Sequence, residues 1–218
     1  IRILRTFNLA LPNDLSIYFA LKLARESKLS SVMTGDGSDE LFAGYSYMAS
    51  LLPKDLERYI RGLSGDWHFS ASDLGEALGI KVKQPFLDGD FIRFALDISP
   101  ELKVRGGVGK YILRKSFEAV MPQEIVWRKK EPIEYGSGSS ELHEIINNMV
   151  SDEEFQSMEE KTGIKFINKE HSFYYRIYSE VVGEIPKADS GEESCPCCGA
   201  GLNKSYCSVC GFSRSLEE

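Results

Sequence analysis

The chain has 218 residues, 42% hydrophobic and 27% charged, which is enough for one good core plus an appendage and unlike a disordered composition. Its formal net charge of −7 argues against a general nucleic-acid or acidic-membrane binder. No apolar run approaches the roughly 18 residues that span a bilayer, and no charged-then-apolar leader is present, so we expect a cytoplasmic protein.

The first part of the sequence predicts an α/β unit. In chain order, its predicted elements are a strand or extended entry at residues 1–11, a helix at 15–28, a strand at 31–33 and a helix at 38–52. Asn13 or Asp14 is the predicted cap of the first helix. The turn after the second strand lies at its carboxyl end, where open α/β sheets bind ligands.

That turn is rich in glycine and in carboxylates, and reads Thr34-Gly35-Asp36-Gly37-Ser38-Asp39-Glu40. Both glycines can adopt a positive φ and let a phosphate approach the backbone, next to the free N–H groups of a helix N-terminus. Three carboxylates in five residues would repel one another unless a cation lay among them, and phosphates with carboxylates suggest Mg²⁺. Ser38 as the N-cap of an ordinary helix is the alternative, and local rules leave it open.

Beyond Pro53 the apolar spacing is helical. It predicts helices at residues 55–63, 72–78, 88–96, 110–120, 141–150 and 170–182. Residues 103–130 hold eight basic and two acidic side chains, a local charge of +6 within an acidic chain. A solvated helix face explains most charge runs, but a basic segment paired with an acidic, glycine-rich turn is also what an Mg-polyphosphate site requires.

The C-terminal part carries two cysteine knuckles after a polar segment. Residues 183–194 are poor in large apolar side chains and indicate a linker. The knuckles Cys195-Pro196-Cys197-Cys198-Gly199 and Cys207-Ser208-Val209-Cys210-Gly211 each contain C-x2-C-G, and four thiolates at this spacing suit one tetrahedral zinc ion. A disulfide framework is the alternative. We predict a structural zinc site at Cys195, Cys198, Cys207 and Cys210, with Cys197 as the odd cysteine.

Four ordered motifs resemble the synthetase domain of the asparagine synthetases. The turn, continued through Leu41-Phe42-Ala43-Gly44-Tyr45, is similar to that family's S-G-D/E-G-A/S-D-E-L/V-F-x-G-Y. The other three are Pro85-Phe86-Leu87-Asp88 for V-P-F-L-D, Lys110-Tyr111-Ile112-Leu113-Arg114 for K-Y-I-L-R, and Trp127-Arg128-Lys129-Lys130-Glu131 for W-R-x-K-E. Together they cover roughly residues 30–140.

The resemblance implies an α/β fold of the ATP-pyrophosphatase (adenine-nucleotide alpha-hydrolase-like) type, largely helical in its C-terminal half. It also implies an ATP-dependent, AMP-forming amide ligase in which aspartate or a related carboxylate is activated as an acyl-adenylate and then amidated by ammonia. Carried over by position, the ATP-binding residues are Thr34, Gly35 and Gly37, the magnesium ligand is Asp39, and the catalytic residues are Asp36, Lys110 and Lys130. The lysines would neutralise charge building on the phosphates. Asp36, where many members have Glu, would orient or deprotonate the attacking ammonium.

Three departures from the family pattern shape the expectations. The family's S-G-G-x-D-S phosphate loop and its N-terminal cysteine glutaminase are absent, so we expect the phosphate loop upstream of Ile1 and a glutaminase that is absent or supplied by a partner. Lys83-Gln84 stands where the family usually has Arg-Val. The predicted domains are an N-terminally incomplete synthetase-like domain at residues 1–182, a linker at 183–194 and a zinc ribbon at 195–218, which the usual synthetase lacks.

Two other functions remain open from the sequence. One is a non-catalytic or regulatory relative that docks on a partner through its zinc ribbon, and the other is an RNA-modifying ATP-pyrophosphatase relative. The carboxylate and lysines of the matched motifs favour an enzyme with small-molecule substrates, and the acidic charge argues against RNA. Neither the acyl acceptor nor the oligomeric state can be inferred from these motifs.

Overall fold

The computed structural model describes residues 1–63 and 67–214, and every structural statement below concerns these residues. They are mainly helical with a small parallel sheet. The helices are α1 (Leu11–Glu26), α2 (Ser38–Leu41), α3 (Ser46–Ala49), α4 (Pro53–Leu63), α5 (Ser70–Leu78), α6 (Gly89–Leu96), α7 (Pro100–Lys103), α8 (Tyr111–Phe117), α9 (Gln123–Val126), α10 (Ile133–Ser137), α11 (Glu141–Met149), α12 (Asp152–Thr162) and α13 (Lys169–Val181). The strands are β1 (Ser31–Met33) and β2 (Lys81–Lys83), and a 3-10 turn covers Pro85–Leu87. None of these helices combines the length and apolar character needed to span a bilayer.

The chain divides into two compact units. The first unit contains residues 1–22 and the described residues from 132 onward, and the second contains residues 23–131. The predicted linker and the described part of the ribbon both lie in the first unit, while residues 215–218 of the predicted ribbon lie outside the described residues. The division into domain, linker and ribbon stays a prediction.

The second unit is organised around the two strands. β1 and β2 pair in parallel with Val32 opposite Val82, and the Thr34 N–H continues the ladder by donating to the Lys83 carbonyl at 2.9 Å. The strand predicted at residues 31–33 is therefore confirmed. β2 was not predicted, because Lys81-Val82-Lys83 offers only one apolar residue and becomes a strand through its partner.

The helix predicted at residues 38–52 is wrong as a continuous element. The structure breaks it into α2 and α3 at Ala43, which has a left-handed φ of 55°, and the Gly44 N–H turns back to the Asp39 carbonyl at 2.8 Å. Ser38 is not the N-cap either, since Gly37 occupies that position with a φ of 87° and no side-chain cap. Of the two loop glycines, only Gly37 has the positive φ expected of both.

The N-terminal expectation also needs correction. Residues 1–5 form a turn closed by a hydrogen bond from the Arg5 N–H to the Ile1 carbonyl at 2.7 Å, rather than a strand. Arg5 has a left-handed φ of 50°, which interrupts an extended backbone there. α1 begins at Leu11, so Asn13 and Asp14 lie inside its first turn and do not cap it.

Helix α12 was missed although its start signal is in the sequence. The Ser151 hydroxyl accepts from the Glu154 N–H at 3.1 Å, and the Glu154 carboxylate accepts from the Ser151 N–H at 3.1 Å, which is a complete capping box. The other predicted helices after Pro53 are present, with ends that differ by up to three residues.

Candidate active site and metal centre

The glycine-rich turn connects β1 to α2 and fixes the position of Asp39. A Cβ on Gly37 would lie 2.4 Å from Leu87 Cδ2, so the turn packs closely on the 3-10 turn of the P-F-L-D motif. Asp39 follows as the second residue of α2, and its side chain is only 16% exposed. The glycine-rich turn and the P-F-L-D motif are thus in contact next to the Asp39 carboxylate.

Lys110 reaches this carboxylate from a distant part of the second unit. Its Nζ lies 2.9 Å from Asp39 Oδ1, forming an ion pair, and donates a hydrogen bond to the Ser38 hydroxyl at 2.9 Å. Asp39 Oδ1 is buried and receives no hydrogen bond of good geometry from the described residues. The interaction of Lys110 with this oxygen is therefore an ion pair rather than a well-aligned hydrogen bond.

The backbone around Lys110 explains its placement. Lys110 has a left-handed φ of 56°, and its N–H donates to the Phe42 carbonyl at 2.7 Å. A Cβ on Gly109 would lie 1.9 Å from the Ala43 carbonyl oxygen, so only glycine permits this approach of the two segments. The glycine loop before Lys110 therefore docks on the break between α2 and α3.

Lys130 completes the group from the fourth motif. Its Nζ lies 3.3 Å from Asp39 Oδ2 and 6.0 Å from the centre of the Tyr45 ring. The Tyr45 hydroxyl donates to Glu40 Oε1 at 2.6 Å, which fixes the ring beneath the ammonium. The fold thus brings together one carboxylate and two ammonium groups, from positions 39, 110 and 130. The sequence motifs predicted that these three residues share a site.

Arg114 holds the two lysine-bearing segments. Its Nε donates to the Gly109 carbonyl at 3.2 Å, and its Nη1 donates to the Val126 carbonyl and to the Arg128 carbonyl at 3.0 Å. The last residue of the K-Y-I-L-R motif therefore acts on the positions of Lys110 and Lys130. The sequence indicates no such role for Arg114, because both of its bonds on the far segment go to backbone atoms.

The electrostatics of the site reflect burial and charge in competition. Burial lowers the pKa of Lys110, and the neighbouring Asp39 carboxylate opposes that shift. Burial also raises the pKa of Tyr45, and its hydrogen bond to Glu40 raises it further. Tyr45 is therefore a neutral hydrogen-bond donor throughout the physiological pH range.

Asp36 lies in the same turn but is held by other partners. Its Oδ2 accepts from the Thr34 hydroxyl at 2.7 Å and from Gln84 Nε2 at 2.8 Å. Gln84 Oε1 in turn accepts from the Ser72 hydroxyl at 2.9 Å. Gln84 and Ser72 were not predicted as site residues, although Lys83-Gln84 had been noted as a departure from the family pattern.

The predicted nucleotide-binding residues differ in what they can offer. Thr34 uses both its N–H and its hydroxyl inside the protein. Gly35 is exposed, and a Cβ there would meet nothing closer than Ser38 Oγ at 3.9 Å, so the turn has an open face. Within the described residues, the N–H groups of Gly35 and Asp36 donate to no protein acceptor, and neither residue is buried, which leaves these groups available to an anion.

Comparison with known proteins decides the family. The sequence model described as Asparagine synthase matches residues 1–73 and 59–184. The chain belongs to the asparagine synthase family. It is 30% identical over 208 residues to the probable glutamine-hydrolyzing asparagine synthetase of Schizosaccharomyces pombe, an alignment that covers 83% of this chain and 37% of the relative.

Two further relatives from the asparagine synthase family are matched over similar shares of this chain and of their own length. The probable glutamine-hydrolyzing asparagine synthetase of Dictyostelium discoideum is 32% identical over 186 residues, covering 76% of this chain and 33% of the relative. Glutamine-hydrolyzing asparagine synthetase B of Escherichia coli is 29% identical over 182 residues, covering 79% and 33%. The chain thus spans about a third of the length of these curated relatives.

The cysteine knuckles lie beyond the part that matches the asparagine synthase family. The Sγ atoms of Cys195, Cys198, Cys207 and Cys210 all lie within 4.8 Å of one another, and two pairs are 3.6 Å apart. A tetrahedron with zinc–sulfur bonds of about 2.3 Å has edges of about 3.8 Å, so the four atoms have the spacing that a zinc ion requires. All five cysteines are free, in disagreement with the disulfide alternative.

Cys197 is not one of these four sulfurs, although its thiol interacts with that of Cys210. Its Sγ lies 3.1 Å from the Lys165 carbonyl oxygen and donates to it. Gly199 and Gly211, which close the two knuckles, have φ values of 80° and 81°, and their N–H groups donate to the first cysteine of each knuckle at 2.9 Å. Four cysteines form the candidate metal centre, while the fifth anchors its knuckle to the loop before α13.

Proposed function

We propose that this chain is the ATP-using part of an amide ligase that forms AMP and pyrophosphate. A substrate carboxylate, from aspartate or a related acid, attacks the α-phosphorus of ATP and pyrophosphate leaves. Ammonia then attacks the carbonyl carbon of the acyl-adenylate, and AMP leaves with the bonding electron pair. The observation that carries the proposal is the pair of ammonium groups, Lys110 and Lys130, flanking Asp39 at the end of β1.

The two lysines support the first step through charge. Breaking the bond between the α- and β-phosphates builds negative charge on the pyrophosphate, and ammonium groups fixed nearby stabilise that charge. Lys110 is only 18% exposed, so water screens its charge weakly. The free N–H groups of Gly35 and Asp36 add neutral donors for phosphate oxygens.

Asp39 fits the role of magnesium ligand by its chemistry. Its Oδ1 is a buried carboxylate oxygen without an aligned hydrogen bond, and Mg²⁺ prefers such oxygens together with phosphates. When bound, Mg²⁺ would neutralise further charge on the pyrophosphate. Asp36, fixed by Thr34 and Gln84, is the carboxylate placed to orient or deprotonate the incoming ammonium, although its contact with that group is part of the proposal.

The nitrogen source and the second metal complete the proposal. The relatives are named as glutamine-hydrolyzing synthetases. We therefore propose that a glutaminase supplies the ammonia, and that a glutaminase on a separate partner protein can fill this role. The four-cysteine centre fits Zn²⁺ and has no open ligand position among its four sulfurs, so its role is structural. We place the protein in the cytoplasm, where thiolates of this kind persist.

The experiment compares neighbouring lysines in the intact protein. Lys130→Ala removes an ammonium 3.3 Å from Asp39, whereas Lys129→Ala removes the adjacent exposed one, which makes no such contact. We expect Lys130→Ala to lower carboxylate-dependent pyrophosphate release by about 10²- to 10³-fold, the usual cost of one electrostatic donor. Lys129→Ala should change it less than threefold.

Asp39→Asn tests the carboxylate at constant shape. We expect it to abolish pyrophosphate release and to remove the dependence of ATP binding on Mg²⁺. Equal activity of the Lys129 and Lys130 variants, together with full activity of Asp39→Asn, would refute the enzymatic assignment and favour the non-catalytic relative.

A further inference from the structure

The ribbon, meaning residues 195–214, shares its core with the rest of the first unit. Cys195, Cys207 and Cys210 are at most 3% exposed and belong to the same buried cluster as Phe7 and Tyr178. Other members from the ribbon are Ala200, Leu202 and Val209. A ribbon that folded as an independent module on a linker would bury its cysteines against itself alone.

The N-terminal segment is hydrogen-bonded to the second knuckle. The Val209 carbonyl accepts from the Phe7 N–H at 2.8 Å and from the Thr6 hydroxyl at 2.9 Å. A Cβ on Gly211 would lie only 2.6 Å from Asn8 Cβ, so this knuckle and residues 6–8 are in close contact. The two segments are about 200 residues apart in the sequence, and the hydrogen bonds fix their register.

Helix α13 forms the other wall of the cluster. The Phe7 ring centre lies 5.2 Å from that of His171 and 5.3 Å from that of Tyr178. Both α13 residues are fully buried. The aromatic layer between α13 and the knuckles is therefore continuous.

Two buried polar atoms in this layer, the Tyr178 hydroxyl and His171 Nε2, have no hydrogen-bond partner among the described residues. The Tyr178 hydroxyl lies within electrostatic range of the Arg5 guanidinium as well as of the Cys198 and Cys207 thiols. A buried polar group left in this way calls for an explanation such as an ion. Thiolates around a metal would place negative charge opposite the hydroxyl dipole.

We propose that a zinc ion on Cys195, Cys198, Cys207 and Cys210 is the folding centre of the whole first unit, holding residues 6–8 and α13 in place as well as the ribbon. The inference rests on the zinc site proposed above. It extends that proposal, because residues 6–8 and α13, which are distant in the sequence, would be structured only when the metal is bound. The physical reason is that a ribbon of this size cannot fold without its metal. Residues 6–8 and α13 pack on the ribbon, so they lose their packing partner when the metal leaves.

The first experiment removes the metal and follows backbone hydrogen exchange. Metal analysis of the intact protein should find about one zinc per chain, and iron in its place would overturn the assignment of the metal. Chelation under reducing conditions should raise exchange rates in residues 6–10, in α13 and in the ribbon together by at least about 100-fold, since the first unit loses its folding energy. Helix α4 in the second unit is the internal reference, and added zinc should restore protection.

A ligand variant and its rescue separate metal loss from general misfolding. Cys198→Ser should lose zinc and exchange like the chelated protein, while Cys198→His, which keeps a tetrahedral ligand, should retain zinc and protection. Cys197→Ser, which leaves all four ligands intact, should retain zinc as well.

A matched pair of glycine variants tests the contact itself. Gly199→Ala and Gly211→Ala impose nearly the same left-handed strain, with φ values of 80° and 81°, at equivalent positions of the two knuckles. Only the Cβ at 211 meets Asn8, since the Cβ at 199 has nothing within 4 Å. We expect both variants to bind zinc, but Gly211→Ala should exchange residues 6–10 at least about tenfold faster than Gly199→Ala, because only it disturbs this packing.

The outcomes distinguish the inference from its premise. Absence of bound metal would refute the zinc site itself. A full complement of zinc, with chelation exposing only the ribbon and leaving α13 protected, would keep the zinc site and overturn its role as a folding centre. Equal exchange of residues 6–10 in the two glycine variants would likewise overturn the coupling. None of these readouts depends on ligase activity, so failure of the proposed enzyme function would leave them unchanged.

Discussion

Gly44→Ala should disable the site while leaving the fold in place. The glycine does not have a positive φ, so alanine brings no backbone strain there. The added Cβ would, however, lie 1.8 Å from Asp39 Oδ1 and 2.5 Å from Lys110 Cε. Ordinary contact is about 3.5 Å, so the carboxylate must move by about 1.7 Å. Misplacing a reacting group by about 1 Å costs on the order of 100-fold in rate, and we expect pyrophosphate release to fall by at least that factor.

The assay for Gly44→Ala pairs activity with stability. Carboxylate-dependent pyrophosphate release is measured beside the urea unfolding curve of the same preparation. The control is Gly62→Ala in α4, whose Cβ meets nothing within 4 Å and which should retain activity and gain about 0.5 kcal/mol of stability. A Gly44→Ala protein that keeps more than half of the wild-type rate would refute the assigned geometry of Asp39 and Lys110.

Three other variants test separate parts of the second unit. Burial lowers the pKa of Lys103 from 10.5 to about 8, so the unfolded chain binds this proton more tightly and stability should rise as the pH increases from 8 to 10.5. Lys103→Met should abolish that rise and stabilise the protein at pH 7 by about 3 kcal/mol, measured by urea unfolding, and an unchanged slope would contradict it. Gln84→Val removes a donor to Asp36 and should slow amide formation at least tenfold while sparing carboxylate-dependent pyrophosphate–ATP exchange; equal loss of both rates would count against it. Gly35→Ala should leave unfolding unchanged, because its Cβ has open space, but weaken ATP binding at least tenfold, and unaltered binding would place the phosphates elsewhere.

Features that depend on local sequence patterns could be predicted, whereas features that depend on contacts between distant residues could not. The strand at residues 31–33 and most later helices follow from apolar spacing over a few neighbours. The break at Ala43 does not, because it depends on Gly109 docking on the Ala43 carbonyl from 66 residues away. Within the site, the motifs identified Asp39, Lys110 and Lys130, but no motif indicated that Arg114 would hold the two lysine segments through backbone carbonyls.

The cysteine knuckles show the same division. Their spacing was sufficient to predict which four sulfurs would converge, while the role of Cys197 stayed open. Their place in the core of the first unit was not predictable, because Thr6 and Val209 are 203 residues apart and nothing in either segment encodes the other. The polar segment before the ribbon predicts a linker, but no local pattern indicates that the ribbon cysteines share a core with Phe7.

Two departures from the family pattern are physically connected. Asp36 is one methylene shorter than the glutamate that many members carry, and Gln84 stands where a valine is usual. The structure joins them, since the Gln84 amide donates to Asp36 Oδ2 at 2.8 Å, and Ser72 donates to Gln84 Oε1 at 2.9 Å. A valine could make neither bond, and a longer carboxylate would meet the amide at a different point. Because each residue fixes the geometry of the other, a change at position 36 or 84 alone perturbs the whole hydrogen-bonded chain, and the two positions have to be considered as one unit of the site.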